Sequence, residues 1–118
     1  GITVIPCERT FGFVSSMDRE TREQAARWNL EQFFRAVELA EGADLLILDE
    51  IMAAMTYGMV PEERVLEFLE DRPGGLEVVL TGRSPSERIL GAADYVSEIQ
   101  KVRHPYDRGI LARKGIEY

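Results

Sequence analysis

An acidic pair, Asp49 and Glu50, is the clearest candidate for chemistry in this 118-residue sequence. The pair follows the apolar run 45–48, which predicts a strand buried on both faces of a parallel sheet. A carboxylate at the tip of such a strand can hold Mg²⁺ beside nucleotide phosphates, directly or through water, and a neighbouring Glu can complete the metal's shell or orient a reacting group. The other interpretation of Asp49 is a cap on the helix that follows.

A second candidate follows the predicted strand 76–80, where Thr81 and Arg83 lead into a predicted helix. We expect Ser84 to cap that helix, with Pro85 at its first position. The backbone N–H groups at a helix start attract an anion, and the guanidinium of Arg83 is a forked donor for phosphate. The alternative is a tight turn that carries a surface arginine.

The remaining residues of chemical interest have structural alternatives. Phe11 and Phe13 flank Gly12 and could line an apolar ligand face, although such a pair more often packs into the core. Cys7 has no His or Cys partner at metal-ligand spacing and is predicted to be a small buried hydrophobic residue. His104 precedes a proline, which favours a structural turn over catalysis.

The elements that must position these residues alternate between strands and helices. Strands are predicted at 2–6, 45–48, 76–80 and 95–99. Helices are predicted from a cap at Asp18 or Thr21 to about 40, at 51–57, from 61 to about 71, and from 84 to about 93. This alternation predicts an α/β fold with a mostly parallel sheet, whose ligands bind at the carboxyl ends of the strands.

Composition and charge narrow the class of protein. The length predicts one domain, residues 1–118. The net charge of −7 argues against a nucleic-acid or anionic-membrane partner, and no apolar run approaches the roughly 20 residues that span a bilayer. Residues 1–80 carry 7 basic and 16 acidic side chains, whereas residues 81–118 carry 7 and 5, which favours the latter part for an anion. A single cysteine predicts a reducing, cytoplasmic setting.

One expected motif is absent from these 118 residues. The run 45–50 has the form of a Walker B strand, which normally serves a P-loop of the form G-x-x-x-x-G-K-[ST]. The sequence has two lysines, Lys101 and Lys114, and neither follows a glycine. A dinucleotide-binding G-x-G-x-x-G spacing is absent as well, so a classical dinucleotide-binding site is excluded.

Short motifs follow one another along nearly the whole chain, at residues 12–13, 46–50, 70–73, 80–83, 93–98, 102–110 and 115–118. The most specific of them is the closing run 102–110. Their order resembles that of the P-loop type ATP:corrinoid adenosyltransferases, which act on cob(I)alamin or cob(I)yrinic acid a,c-diamide.

The resemblance implies a three-layer, P-loop NTPase-like (RecA-like) fold with a mostly parallel sheet. In that family a P-loop unit precedes the point where this sequence starts, so we expect an N-terminally truncated chain that is inactive by itself. Loss of a strand from the sheet predicts a dimer or an exchange of elements that covers the gap. The alternative function is a non-catalytic α/β module that pairs with another protein.

The resemblance also implies a reaction. A Co(I) corrinoid, reduced by a separate flavoprotein, attacks the 5′ carbon of ATP and displaces triphosphate. Asp49 and Glu50 match the acidic pair near Mg²⁺, with Glu50 counted as catalytic. Thr81 and Arg83 are our candidates for binding the phosphates, and a homodimer is expected.

The corrin-facing residues are implied only in part. Phe13 matches a family aromatic that lies beside the corrin ring and helps to remove the lower cobalt ligand, so it is a candidate for catalysis and for corrinoid binding. Ser15 stands where the family has a tryptophan. Phe11 is the candidate that could substitute for that tryptophan in binding the corrinoid.

Overall fold

A computed structural model describes residues 1–6 and 8–116 of the chain. Within these residues it contains α1 (Arg19–Leu39), β1 (Leu45–Leu48), α2 (Ile51–Thr56), α3 (Glu62–Asp71), β2 (Glu77–Leu80) and α4 (Glu87–Ala92). Short 3-10 helices, Val14–Ser16 and Pro105–Arg108, lie before α1 and after α4. The predicted α/β class with parallel strands is therefore confirmed, on a small two-stranded sheet.

The two strands pair in parallel, with Leu45 opposite Glu77 and Leu48 opposite Leu80. Alternate residues of a strand point to opposite faces, so each strand has an inner and an outer face. The inner face packs on the helices and contributes to the core through Leu46, Leu48 and Leu80. The rest of that core comes from α1, from α2 and α3, which connect the strands, from Val60 between those two helices, and from Ile89 on α4.

The outer face of the sheet is open to solvent in the described structure. Leu45, Ile47 and Val79 are 50%, 57% and 43% exposed, respectively. The prediction of a strand buried on both faces was therefore wrong for the outer face. The sequence run 45–48 is apolar throughout, but among the described residues helices cover one side only.

The core joins α1 to the connection between the strands. Phe33 and Ala36 on α1 are buried, and the rings of Phe33 and of Phe68 on α3 form a T-shaped pair with centroids 6.2 Å apart. Val60 and Val65, around the start of α3, are the most completely buried large side chains described. Burial of this kind contributes about 1.5–3 kcal/mol for each large apolar side chain.

Two predicted strands are absent from the described residues. Residues 2–6, all of which the structure describes, form no strand, and Ile2 is 95% exposed. Residues 95–99 are likewise irregular, with Tyr95 and Ile99 95% and 96% exposed. A strand needs a neighbour to satisfy its N–H and C=O groups, and β1 and β2 pair only with each other here. Apolar, β-branched sequence was therefore insufficient to predict these strands.

The start of α4 differs from the prediction by two residues. The cap is Ser86, whose Oγ accepts a hydrogen bond of 3.2 Å from the Ile89 backbone N–H. Ser84 has a φ of 54°, in the left-handed region, and belongs to the turn that leaves β2. An N-cap requires an extended backbone, which Ser86 has and Ser84 lacks.

The remaining predictions for the ends of the chain have mixed outcomes. His104 forms a structural turn, as predicted: its Nδ1 accepts a 3.1 Å hydrogen bond from the Tyr106 backbone N–H. Cys7 lies outside the described residues, so its predicted burial stays a prediction. No helix formed by residues 1–6 and 8–116 has both the length and the hydrophobicity to cross a membrane.

The cap of α1 gives a prediction about pH. Asp18 Oδ1 accepts a 2.7 Å hydrogen bond from the Thr21 backbone N–H, which lowers the pKa of Asp18 below its ordinary value. A lowered pKa stabilises the folded chain above the pKa of the unfolded carboxyl, and this contribution is lost as the pH falls through the folded pKa. We expect the difference in unfolding free energy between wild type and Asp18→Ala to be constant near neutrality and to shrink below about pH 4.

The matched control is Asp18→Asn, which keeps an oxygen acceptor but does not titrate. Its difference from Asp18→Ala should stay constant across the same pH range in urea denaturation series. If the difference in unfolding free energy between wild type and Asp18→Ala were also independent of pH, the Asp18 carboxylate would not stabilise the helix through its charged form.

Candidate functional site

The parallel register brings the two polar clusters of the sequence together. Because Leu48 lies opposite Leu80, the next residues along, Asp49 and Thr81, lie side by side at the carboxyl end of the sheet. The Thr81 hydroxyl donates a 2.6 Å hydrogen bond to Asp49 Oδ1 and accepts a 2.8 Å hydrogen bond from the Glu50 backbone N–H. A single hydroxyl at the end of β2 thus contacts the Asp49 carboxylate and the Glu50 backbone at the end of β1.

The helix-cap interpretation of Asp49 is wrong. The residue at the N-cap position of α2 is Glu50, whose own side chain makes no capping hydrogen bond. The Asp49 carboxylate is directed to Thr81 instead. Its predicted role in metal binding therefore stays a prediction, with its main structural alternative removed.

Glu50 adopts an uncommon backbone conformation. Its φ of 54° and ψ of 24° lie in the left-handed region, which residues with a side chain rarely occupy. Its carbonyl accepts hydrogen bonds from the N–H groups of Ala53 and Ala54, at 3.0 and 3.3 Å. The chain therefore turns sharply between β1 and α2, and such outliers concentrate at functional sites.

Gly82 packs directly against the first turn of α2. Its φ is 135°, and a Cβ placed on it would lie 2.6 Å from Met52 Cβ and 2.9 Å from Met52 Cγ. The Met52 N–H also donates a 3.4 Å hydrogen bond to the Thr81 carbonyl. Only glycine allows the turn after β2 to approach α2 this closely.

Arg83 extends from the same turn but is not tied to it. Its side chain is exposed and makes no hydrogen bond or ion pair with any residue that the structure describes. The start of α4, which was predicted directly after it, lies at Glu87. Arg83 is thus a cation at the carboxyl end of the sheet, and its predicted contact with phosphate rests on that position.

The two aromatic residues of the glycine loop have different environments. Phe11 is half-buried, whereas Phe13 is 85% exposed. Gly12 between them has a φ of 82°, and Ser15, where the resemblance implies a tryptophan in the family, is exposed in the following 3-10 helix. Phe13 is therefore outside the core, contrary to the more common behaviour of such pairs, and its face is open to a ligand.

Two arginines that sequence reasoning missed hold the surrounding helices. Arg22 Nη2 on α1 donates a 2.9 Å hydrogen bond to the Tyr57 carbonyl at the end of α2. Arg88 on α4 bridges Glu63 at 2.8 Å and Glu62 at 3.3 Å on α3. The Arg88 hydrogen bond lowers the pKa of Glu63, and the same contact raises the pKa of Arg88. The sequence signal for the Arg88 contact was the pair of acidic residues in the first turn of α3, which could attract a basic side chain from a neighbouring helix.

Comparison with known proteins shows the family of the chain but does not test the roles of these residues. The sequence model of the family described as ATP:corrinoid adenosyltransferase BtuR/CobO/CobP matches residues 2–118. The chain belongs to this family. The resemblance inferred from the order of motifs is thereby confirmed.

Individual relatives agree with the family match. The chain is 41% identical to Corrinoid adenosyltransferase CobA of Salmonella typhimurium over 75 residues, covering 64% of this chain and 38% of that protein. It is 33% identical to the Corrinoid adenosyltransferase of Escherichia coli (strain K12) over 107 residues, which cover 91% of this chain and 55% of that protein. A Corrinoid adenosyltransferase of Sinorhizobium sp is 32% identical over 125 residues, covering 94% and 58%. The chain thus spans about half the length of the curated relatives it matches.

The close approach of Gly82 gives a stability prediction for this family member. Gly82→Ala should lower the free energy of unfolding by about 2–4 kcal/mol, because the new Cβ overlaps Met52 and the backbone φ is unfavourable for alanine. Urea denaturation of the complete gene product measures the change.

Gly74→Ala is the matched control, since a Cβ built there meets no atom within 4 Å. Its effect should stay below about 0.5 kcal/mol. Equal stabilities for the two variants would contradict the packing of the turn on α2.

Proposed function

We propose that the complete gene product carrying this chain transfers the 5′-deoxyadenosyl group of ATP to the Co(I) centre of a corrinoid, in cobalamin biosynthesis or salvage. The cobalt–carbon bond forms as the bond from the 5′ carbon to the triphosphate oxygen breaks, and the electron pair leaves on triphosphate. Family membership over residues 2–118 and the names of the relatives support this reaction.

The observation that carries the proposal is the acidic pair held against Thr81 where the two strands end. In α/β proteins ligands bind outside the carboxyl ends of the strands. Asp49, Glu50 and Arg83 supply both signs of charge at this edge, as a metal-bound triphosphate requires. Positioning of ATP and neutralisation of its leaving group are what the protein contributes to a displacement at carbon.

The donor set fits Mg²⁺ bound together with a nucleotide. No group of three or more His, Cys, Asp or Glu side chains suited to a metal ion occurs within the described part of the chain. Mg²⁺ is commonly bound by one or two carboxylates, with water and substrate phosphates completing its six ligands. Asp49 and Glu50 would hold the ion, which when bound neutralises charge on the departing triphosphate.

Phe13 is the proposed contact with the corrin ring. Its 85% exposed side chain supports this role, since a core phenylalanine would have no free face. An apolar side chain at the lower face of the corrin excludes an axial ligand and water from the cobalt, and a four-coordinate Co(II) is easier to reduce to Co(I). Phe11, which is half-buried beside it, is proposed to support the same face.

We propose a three-layer P-loop NTPase-like fold for the complete gene product. Such a fold would cover the outer face of the sheet, and the exposure of Leu45, Ile47 and Val79 supports a neighbour there.

We also propose a homodimer, a flavoprotein that supplies the reduced corrinoid, and a cytoplasmic location. The location is supported by the single cysteine. These 118 residues contain no P-loop sequence, so we expect them to be inactive alone.

Charge neutralisation at the acidic pair is tested by Asp49→Asn in the complete gene product. We expect kcat/KM for adenosylation of chemically reduced cob(I)alamin to fall about 100-fold or more, because a ligand of the metal loses its charge. Formation of adenosylcobalamin is followed by absorbance and by chromatography.

Asp44→Asn is the control, because Asp44 lies at the opposite end of β1 and is exposed. It should leave kcat/KM unchanged. Absence of adenosylcobalamin with the wild-type protein would refute the proposed reaction, and equal activities of the two variants would refute the role of Asp49.

Phe13→Ala tests the corrin contact. Turnover should fall while the affinity for ATP stays close to that of the wild type, because the ring is proposed to contact the corrinoid and not the nucleotide. Steady-state kinetics with both substrates and calorimetry with ATP measure the two quantities.

Phe34→Ala removes another exposed phenylalanine, on α1, and should change neither quantity. A Phe13→Ala variant with full turnover would show that the corrin face is built from other residues.

A further inference from the structure

The Thr81 hydroxyl occupies a special place at the end of the sheet. It has one proton, and that proton is donated to Asp49 Oδ1 at 2.6 Å. A lone pair of the same oxygen accepts the Glu50 backbone N–H at 2.8 Å. The proton and one lone pair of the hydroxyl are therefore used within the acidic corner, which is formed by Asp49 and Glu50 at the end of β1. The proton that a phosphate oxygen would need is already engaged.

The acidic corner depends on an anchor of this kind. Glu50 has a left-handed backbone, which is unfavourable for a residue with a side chain unless the surroundings impose it. Its N–H is bound by Thr81 and its carbonyl by the first turn of α2. Without the hydroxyl, the Glu50 N–H would lose this partner and the Asp49 side chain would be free to take other rotamers.

The backbone that carries the hydroxyl is itself fixed. The Thr81 N–H donates a 3.2 Å hydrogen bond to the Leu48 carbonyl, and the Thr81 carbonyl accepts from the Met52 N–H. Gly82, the next residue, is packed on Met52 with no room for a Cβ. Thr81 is therefore held by β1 on one side and by α2 on the other, so its hydroxyl can impose a geometry on its neighbours.

We infer that Thr81 is a positioning residue, which directs the Asp49 carboxylate toward a divalent cation, fixes the backbone of Glu50 beside it and does not bind the nucleotide through its hydroxyl. The inference rests on the proposed function for the identity of the cation's nucleotide partner. Hydrogen bonds to ligating carboxylates pre-set their direction, and loss of such a contact typically weakens metal affinity about 10–100-fold.

The test compares wild type with Thr81→Val, Thr81→Ser and Thr81→Ala in the complete gene product. Valine keeps the shape and removes the hydroxyl, whereas serine keeps the hydroxyl and removes the methyl group. Binding of Mn²⁺ in the presence of ATP is measured by electron paramagnetic resonance, and binding of ATP without divalent metal is measured by calorimetry. The Mg²⁺ concentration for half-maximal activity is measured beside kcat.

We expect Thr81→Val to weaken Mn²⁺ binding about 10–100-fold and to raise the Mg²⁺ requirement by a similar factor. Metal-free ATP affinity should not change, and Thr81→Ser should recover most of the metal affinity. If the valine variant does not fold, serine against alanine still isolates the hydroxyl, because both lack the methyl group.

Unchanged Mn²⁺ affinity in Thr81→Val or Thr81→Ala would overturn the inference. A metal-free ATP affinity that falls as far as the Mn²⁺ affinity would also overturn it, since the hydroxyl would then bind the nucleotide. The Mn²⁺ titration does not need turnover. A protein that fails to make adenosylcobalamin therefore refutes the proposed function and leaves the role of Thr81 to be judged by its own measurement.

Discussion

The parallel pairing of β1 with β2, closed at its carboxyl end by the Thr81 hydroxyl, is the constraint on which the described site depends. The pairing sets Asp49 beside Thr81, because Leu48 and Leu80 are partners in the ladder. The hydroxyl then joins both acidic residues, and the turn after β2 rests on the first turn of α2 through Gly82. The strand register and the packing of the turn on α2 therefore together fix where the acidic residues lie at this edge.

The sheet is asymmetric, and this asymmetry shapes what the chain can do. Its inner face shares a core with α1, α2 and α3, whereas Leu45, Ile47 and Val79 on the outer face are exposed. Parallel sheets are normally covered by helices on both faces. Because the chain spans about half the length of its relatives, the proposed three-layer fold and dimer are the arrangements that would cover this face.

Local patterns in the sequence predicted the elements that depend on local interactions. The strands 45–48 and 76–80 and the helix after Pro61 were predicted close to their observed bounds. The cap of α1 was predicted at Asp18 or Thr21, and the structure has it at Asp18. The predicted strands at 2–6 and 95–99 were wrong, because strand formation needs a neighbouring strand and not only β-branched residues. Ser84 and Ser86 could not be separated as caps, since the choice depends on which residue turns the chain away from β2.

The residues of the candidate site could be predicted from the sequence, but the hydrogen bonds that join them could not. Asp49, Glu50, Thr81 and Arg83 were identified from their positions after apolar runs. The hydrogen bond from the Thr81 hydroxyl to Asp49 depends on the register between the two strands. Neither apolar run specifies that register by itself. The family resemblance was readable because many short motifs occur in one order, and the family match confirms it.

We propose that the nucleotide-bound cation lies at the carboxyl end of the sheet, beside Asp49 and Glu50 where Thr81 holds them. This proposal is tested most directly by an anomalous difference map from crystals of the complete gene product grown with Mn²⁺ and an ATP analogue. We expect one metal peak linked to Asp49 or Glu50, directly or through one water molecule, with Thr81 still hydrogen bonded to Asp49. A metal bound with the nucleotide elsewhere, without a link to either carboxylate, would contradict it.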